Sequence, residues 1–349
     1  MIKLLLLVLA GIVGWGLNFL GMPIPWMLGG VFVALGMKIL GIKGVRWPRM
    51  WRNYGLVVVG YGIGRYVNSS ILEQMLYQIP GIIGATILAV ITALIISLVM
   101  SKYENIDLHS TIMGIMPGGF TQMTAMIDED MRVDANIVTV FQSLRLITII
   151  VTVPFLVTHL LGAQVTQTAS NLAIKDGISF WLIVPFAGVA GLALEKLKVS
   201  TPYLLGPIII VAMASLYSGV LNTAPGWLLA LAQLSIGVYV GSGLEPHKVK
   251  QLMRVLPSLF LGIFAMLSIS IAVAYALAHY YGFSLITAFL AMAPGGLGEM
   301  CLVGMSLEED VAIILTYQMF RFLFLSLGVP VGIYKYFGNP SQLKNSEKV

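Results

Sequence analysis

The chain has 349 residues, of which 58% are hydrophobic and only 10% charged, with a formal net charge of +5 and a mean hydropathy of +0.93. These values lie outside the range of an ordinary soluble domain and define a polytopic membrane protein. A single cysteine, Cys301, excludes an intramolecular disulfide, a CxxC site and an iron–sulfur cluster, and between Met300 and Leu302 it reads as a small apolar position.

Apolar runs long enough to cross a bilayer fall in the first half at roughly 3–20, 23–41, 52–67, 79–101, 109–127 and 134–159. The first, from Lys3, lacks an A-x-A cleavage site and has a counterpart later in the chain, so it is read as part of the mature protein. Between the second and third, Lys38 to Arg52 with Trp47 and Trp51 forms a basic, aromatic stretch expected as an interfacial belt on the cytoplasmic leaflet. Gly60, Gly62 and Gly64 in the third fit a tight helix crossing; their GYGIG spacing imitates a nucleotide fingerprint but lacks the strand-turn-helix setting. The fifth contains PGGFTQM at 117–123, and the sixth carries Gln142 and Arg145.

The second half repeats this order at about 178–195, 201–221, 226–243, 256–280, 283–305 and 310–336. At an offset of 177 residues, Pro25 falls on Pro202, Gly29 on Gly206, Gly60 and Gly64 on Gly237 and Gly241, Pro80 on Pro257, and Pro117-Gly118-Gly119 on Pro294-Gly295-Gly296. At 176 residues, Gln142 falls on Gln318, Arg145 on Arg321 and Pro154 on Pro330. Such a colinear series is the mark of tandem duplication. The organisation is therefore a first repeat at 1–163, a linker at 164–177, a second repeat at 178–336 and a polar cytoplasmic tail at 337–349.

Lysines and arginines test two arrangements, because they collect in cytoplasmic loops. If all twelve elements cross, eleven basic residues lie inside and seven outside. If each Pro-Gly-Gly element instead leaves by the face it entered, sixteen lie inside and only Arg65 and Lys175 outside, with Arg145 and Arg321 in the membrane either way. The second arrangement gives five crossings per repeat, an odd number that inverts the second repeat relative to the first. The expected fold is all-α, with about ten crossings, two broken re-entrant elements entering from opposite faces, and both termini cytoplasmic in the cell (plasma or inner) membrane.

Broken backbone at membrane depth is tolerated only where protein buries it or a cavity lines it. Proline ends the preceding helix, glycine lets a ligand approach the main chain, and half-helix N-termini present positive charge to anionic groups. The candidate solute-binding residues are Pro117, Gly118, Gly119, Thr121, Gln122, Gln142, Arg145, Pro294, Gly295, Gly296, Gln318 and Arg321, with Thr124 and Gly298 as further lining. Each arginine lies near half depth, where a charge costs at least about 2.5 kcal/mol unless partnered. Two uses are open: binding an anion, or holding carbonyl oxygens freed by the neighbouring break. Glu299, whose counterpart is Gln122, is the proton-coupling candidate, with a fixed salt bridge to Arg321 or Arg145 as the alternative. Asp128, Glu129, Asp130, Glu308, Glu309 and Asp310 read as solvated loop acids and helix N-terminal charges rather than metal ligands.

The duplicated Pro-Gly-Gly followed by a QxxR helix, here PGGFTQM with QSLR and PGGLGEM with QMFR, resembles the membrane AbrB family, and PWMLG and PYLLG extend the resemblance over nearly the whole chain. Members of that family carry regulator and ammonia-monooxygenase labels. The family is also distantly similar to inverted-repeat transporters of the bile-acid/sodium symporter and cation/proton antiporter kinds, which implies a transporter-like fold. The residues argue against two of the labels. His109, His159, His247 and His279 are scattered without metal-ligand spacing, so no copper enzyme, no other metal site and no cofactor is expected. No soluble segment is long enough for a DNA-reading module. Two function classes stay open: a secondary transporter or exporter of a small anionic solute, with a proton or cation as coupling ion, or a membrane-embedded regulator acting on gene expression indirectly. The lipid bilayer and a small solute are the expected partners, with homo-oligomerisation open.

Overall fold

A computed structural model of the chain describes residues 2–67, 69–117, 133–163, 179–218 and 221–337. Gly118, Gly119, Thr121, Gln122, Thr124, Asp128, Glu129, Asp130, the 164–177 linker and the tail beyond 337 lie outside the described residues. Every regular element among the described residues is an α-helix. They are α1 (Ile2–Phe19), α2 (Pro25–Ile39), α3 (Arg49–Gly64), α4 (Ser69–Glu104), α5 (Leu108–Ile115) and α6 (Ala135–His159), then α7 (Phe180–Lys196), α8 (Pro202–Ser218), α9 (Gly226–Gly243) and a short α10 (Pro246–Gln251), and finally α11 (Leu256–Tyr281), α12 (Leu285–Met292), α13 (Leu297–Ser306) and α14 (Val311–Phe337).

Among the described residues, five spans, Ile2–Phe19, Met75–Glu104, Ala135–His159, Gly226–Gly243 and Leu256–Tyr281, are long and apolar enough to cross a membrane. Large apolar side chains such as Trp15, Phe19, Leu76, Phe186 and Tyr217 point outward. Their exposure is unfavourable in water and ordinary in hydrocarbon. The chain is a helical protein with the lengths and surfaces of a membrane protein.

Packing is reciprocal between the two halves. Helix α2 lies on α9, and α8 lies on α3. A Cβ on Gly60 would lie 2.6 Å from the Leu204 carbonyl and one on Gly64 2.8 Å from that of Ile208, while one on Gly241 would lie 2.6 Å from the Val31 carbonyl. Gly237 is pressed still closer on the Met27 carbonyl. These are the same positions at the 177-residue offset, so one close approach made possible by an absent side chain is built twice. Because Met27 and Val31 meet Gly237 and Gly241 in ascending order, α2 and α9 run parallel, as do α8 and α3. Helices α4 and α11 are instead antiparallel. Ser258 at the start of α11 donates to Glu104 at the end of α4, and Tyr281 at the end of α11 sets its ring 5.6 Å from Tyr77 near the start of α4.

Two local expectations change. The fourth helix begins at Ser69, ten residues before the expected run, and passes through Pro80, whereas the matching Pro257 sits in the first turn of α11. A proline inside a membrane helix is tolerated when neighbours take up the freed carbonyl, so the polar Glu73, Gln74 and Gln78 hide a helix from a reading based on apolar runs. Trp47 is not part of an interfacial belt: it is buried, and its Nε1 donates to Ser235 Oγ at 2.8 Å. Trp51 is exposed as expected, and Arg52 lies over the Tyr239 ring at 4.9 Å.

Candidate functional site

The two Pro-Gly-Gly sequences end two eight-residue helices in the same way. Proline disfavours helical angles in the residue before it. Accordingly, Met116, before Pro117, has φ −60° and ψ 128°, and Ala293, before Pro294, has φ −52° and ψ 133°. Each helix therefore stops inside the protein, with its last carbonyls lacking the donors that a further turn would supply.

The following long helix supplies those donors. From α6, Gln142 Nε2 donates to the Met113 carbonyl at 2.6 Å, and Arg145 Nη1 donates to the Ile115 and Met116 carbonyls at 2.9 and 2.6 Å. From α14, Gln318 Nε2 donates to the Leu290 and Ala293 carbonyls at 2.7 and 3.1 Å, and Arg321 donates through Nη1 to Met292 at 2.9 Å and through Nη2 to Ala293 at 2.9 Å. Met113, Ile115 and Met116 correspond to Leu290, Met292 and Ala293 at the 177-residue offset. All four donating side chains are buried. The QxxR pair is thus a C-terminal cap delivered from another helix, and the guanidinium faces the negative pole of the helix it caps. This is how each buried charge is partnered.

The hairpins' directions follow from the same contacts. Asp310 N–H donates to Thr287 Oγ1 at 3.1 Å, Gln318 meets Leu290 and Arg321 meets Met292, so α12 and α14 descend side by side. Ser284 and Thr287 at the top of α12 both donate to Glu309, two residues beyond the C-cap of α13. The chain that descends through α12 therefore turns at Pro294-Gly295-Gly296 and returns through α13 to the end where it started. In the first half, Asp134 N–H donates to Ser110 Oγ at 2.8 Å, which sets the start of α6 beside the start of α5. The caps match too: Asp107 accepts from Ser110 N–H at 2.9 Å and Ser284 from Thr287 N–H at 2.9 Å.

Of the expected site residues, Pro294, Gly295, Gly296, Gln318 and Arg321 lie together at the second break, and Pro117, Gln142 and Arg145 at the first. The two groups are neighbours. A Cβ on Gly295 would lie 3.1 Å from Ile149 of α6, one turn beyond Arg145, and Arg321 lies within Coulombic range of Arg145. Glu299 occupies the first turn of α13, with its carboxylate over Gly296 and accepting from its own backbone N–H. Among the described residues it makes no salt bridge to Arg145 or Arg321, whose donors face carbonyls instead. Gly298 rests on Leu204 of α8, the residue whose carbonyl faces Gly60. Beside Pro294 the free space is only about 10 Å³, room for about one water.

The chemistry of this arrangement can be counted. At the second break, Arg321 contributes one positive charge, the end of α12 about half a negative charge, the start of α13 about half a positive one, and an ionised Glu299 one negative charge, so the sum is close to zero. In the sequence, the position matching Glu299 is Gln122, which lies outside the described residues. Sequence reasoning found every side chain in the two caps and offered freed carbonyls as one of the arginines' two uses, but it did not identify which carbonyls, since they belong to the backbone of apolar residues. The rule that a helix leaves its last four carbonyls unpaired is the signal that would have found them.

A family model described as "Transition state regulatory protein AbrB" matches residues 26–337. The chain belongs to the AbrB family. It is 26% identical over 330 residues to the Escherichia coli (strain K12) protein named "Putative regulator AbrB", covering 93% of this chain and 94% of that protein. It is 24% identical over 342 residues to "Uncharacterized protein YhjN" of Bacillus subtilis (strain 168), covering 91% and 88% respectively. No solved structure matches. Both capped helix ends of this AbrB-family chain lie inside the matched span.

Proposed function

We propose that this AbrB-family protein is a secondary transporter or exporter of a small anionic solute, built from two inverted repeats of five crossings and one re-entrant hairpin each, in the cell membrane with both termini cytoplasmic. The observation that carries the reading is the pair of buried helix breaks, each capped by a QxxR side-chain pair at matched positions. The antiparallel course of α4 and α11 and the return of each hairpin to its starting end support inversion. Broken helices near the midplane of inverted repeats are where such transporters bind solutes. Arg145 and Arg321 hold the breaks open and leave net positive charge at the first of them, which favours an anion. Pro117, Gly118, Gly119, Thr121 and Gln122 complete that half of the site, and Glu299 is the group that takes up a proton as the solute moves. The printed name of the Escherichia coli relative favours a second reading, a membrane regulator that senses a ligand without net flux.

Purified protein in liposomes, loaded in turn with radiolabelled small carboxylates, inorganic phosphate and amino acids under an imposed pH gradient, separates the two. Transport predicts saturable flux of one anion class that Glu299→Gln uncouples from the gradient. Specific binding without flux in the same preparation would favour the regulator and sink the transport reading.

A further inference from the structure

A second candidate site lies away from the breaks. Near the start of α12, a cavity of about 710 Å³ opens among Tyr77 and Gln78 of α4, Tyr281 and Phe283 at the end of α11, Ser284 and Thr287 of α12, and the acids Glu308, Glu309 and Asp310. Its volume is within the range of small-molecule sites. Among the described lining residues none is basic.

Helix capping accounts for part of the acidity. Asp310 accepts from the backbone N–H groups of Ala312 and Ile313, and Glu309 from Ser284 and Thr287. The N-termini of α12 and α14 supply about half a positive charge each, which against the ionised carboxylates of Glu309 and Asp310 leaves an excess of about one negative charge, with Glu308 as a further acid on the wall. The walls add ring faces. Tyr281 stacks on Phe283 at 5.5 Å and stands edge-on to Tyr77. An acidic, aromatic pocket is chemistry suited to a cation.

Gln78 narrows the class. It lines the cavity, is only 4% exposed, and its Oε1 has no hydrogen-bond partner among the described residues. A buried acceptor left unpaired is unfavourable, and an N–H donor in the cavity would satisfy it once the Gln78 amide turns its oxygen toward that space. A metal ion suits the site poorly, because Glu309 and Asp310 are already engaged, and among the described residues no group of three acidic, histidine or cysteine side chains is placed to hold one. We propose that this cavity binds a small organic ammonium ion bearing at least one N–H, held by the carboxylate field, the Tyr77 and Tyr281 rings and the Gln78 amide oxygen. The site stands independently of the anion site at the breaks.

The test is a thermal-shift and calorimetric titration of the full chain in detergent with n-butylammonium, tetramethylammonium, 1-butanol and calcium as separate probes. The proposal predicts saturable stabilisation by n-butylammonium, weaker binding of tetramethylammonium, which lacks the N–H, and none of 1-butanol. Tyr77→Leu and Glu308→Gln, both at exposed positions, should each weaken n-butylammonium binding about tenfold or more, the scale of a lost cation–π or charge contact. Gln78→Leu should leave the folded protein at least as stable while erasing the preference for n-butylammonium over tetramethylammonium. Arg321→Lys should not change the affinity. Binding that survives Tyr77→Leu and Glu308→Gln, stabilisation by calcium above that by n-butylammonium, or no response to n-butylammonium at millimolar concentration would each overturn the assignment.

Discussion

Around Arg321 the cap is closed on itself, since its Nη2 also donates to Gln318 Oε1, so glutamine and arginine hold one another as well as the helix end. Around Arg145 the same two residue types cap the same carbonyls, yet Arg145 Nε and Gln142 Oε1 are buried without a hydrogen-bond partner among the described residues. Each such orphan is unfavourable by about 1–3 kcal/mol. Among the described residues, one motif used twice therefore gives one cap with its donors and acceptor matched and one with an unmatched donor and acceptor.

The largest effect that would sharpen this contrast is expected from removing an arginine. Arg321→Met leaves the Met292 carbonyl only the longer bond from Ser270 Oγ at 3.4 Å, removes one of the two donors to Ala293 and the donor to Gln318 Oε1, and should cost roughly 3–5 kcal/mol in detergent unfolding, the scale of a broken buried charge network. Arg145→Met also uncaps two carbonyls but removes a donor that is unmet among the described residues, so it should cost less. Equal losses would erase the difference between the caps. Next comes the glycine pair that sets the crossings. Gly237→Ala and Gly60→Ala both drive a methyl into a facing carbonyl and should each cost about 1–3 kcal/mol or more, while Gly188→Ala, with open space around it, should be neutral. A smaller effect separates the glutamines. Gln318→Leu gives up three hydrogen bonds and should cost about 2 kcal/mol, whereas Gln142→Leu gives up one and relieves an orphan oxygen, for about 1 kcal/mol or less. The smallest is Glu299→Gln. It breaks no bond to another side chain among the described residues and should leave thermal stability within about 0.5 kcal/mol. A drop of several degrees in melting temperature would instead make Glu299 structural.

Much of this was legible in the sequence because it depends on residues whose backbone or charge is unusual. Prolines and glycines recurring at one offset marked the breaks and the crossings, and Gln142, Arg145, Gln318 and Arg321 were polar where a membrane helix should be apolar. The sequence could not say whether the arginines face solute or carbonyl, because both uses require the same donor fork. Contacts made by ordinary apolar residues through their main chain, such as Met113 and Leu290, leave no side-chain trace. Trp47 illustrates the opposite error: its position among basic residues resembles a membrane-interface anchor, and only tertiary packing reveals Ser235 as its partner.

The central claim is that the two hairpins enter from opposite faces, and cysteine accessibility tests it most directly. Cys301 is fully buried, so single cysteines at exposed Tyr103 and Asn136, flanking the first hairpin, and at Tyr280 and Glu308, flanking the second, report cleanly. With a membrane-impermeant maleimide on whole cells and inverted vesicles, Tyr103→Cys and Asn136→Cys should label together from the cytoplasmic side, and Tyr280→Cys and Glu308→Cys together from the other. If the two cysteines flanking either hairpin label from opposite sides, that hairpin crosses the membrane, the repeats are not inverted, and the shared site built from their breaks is lost.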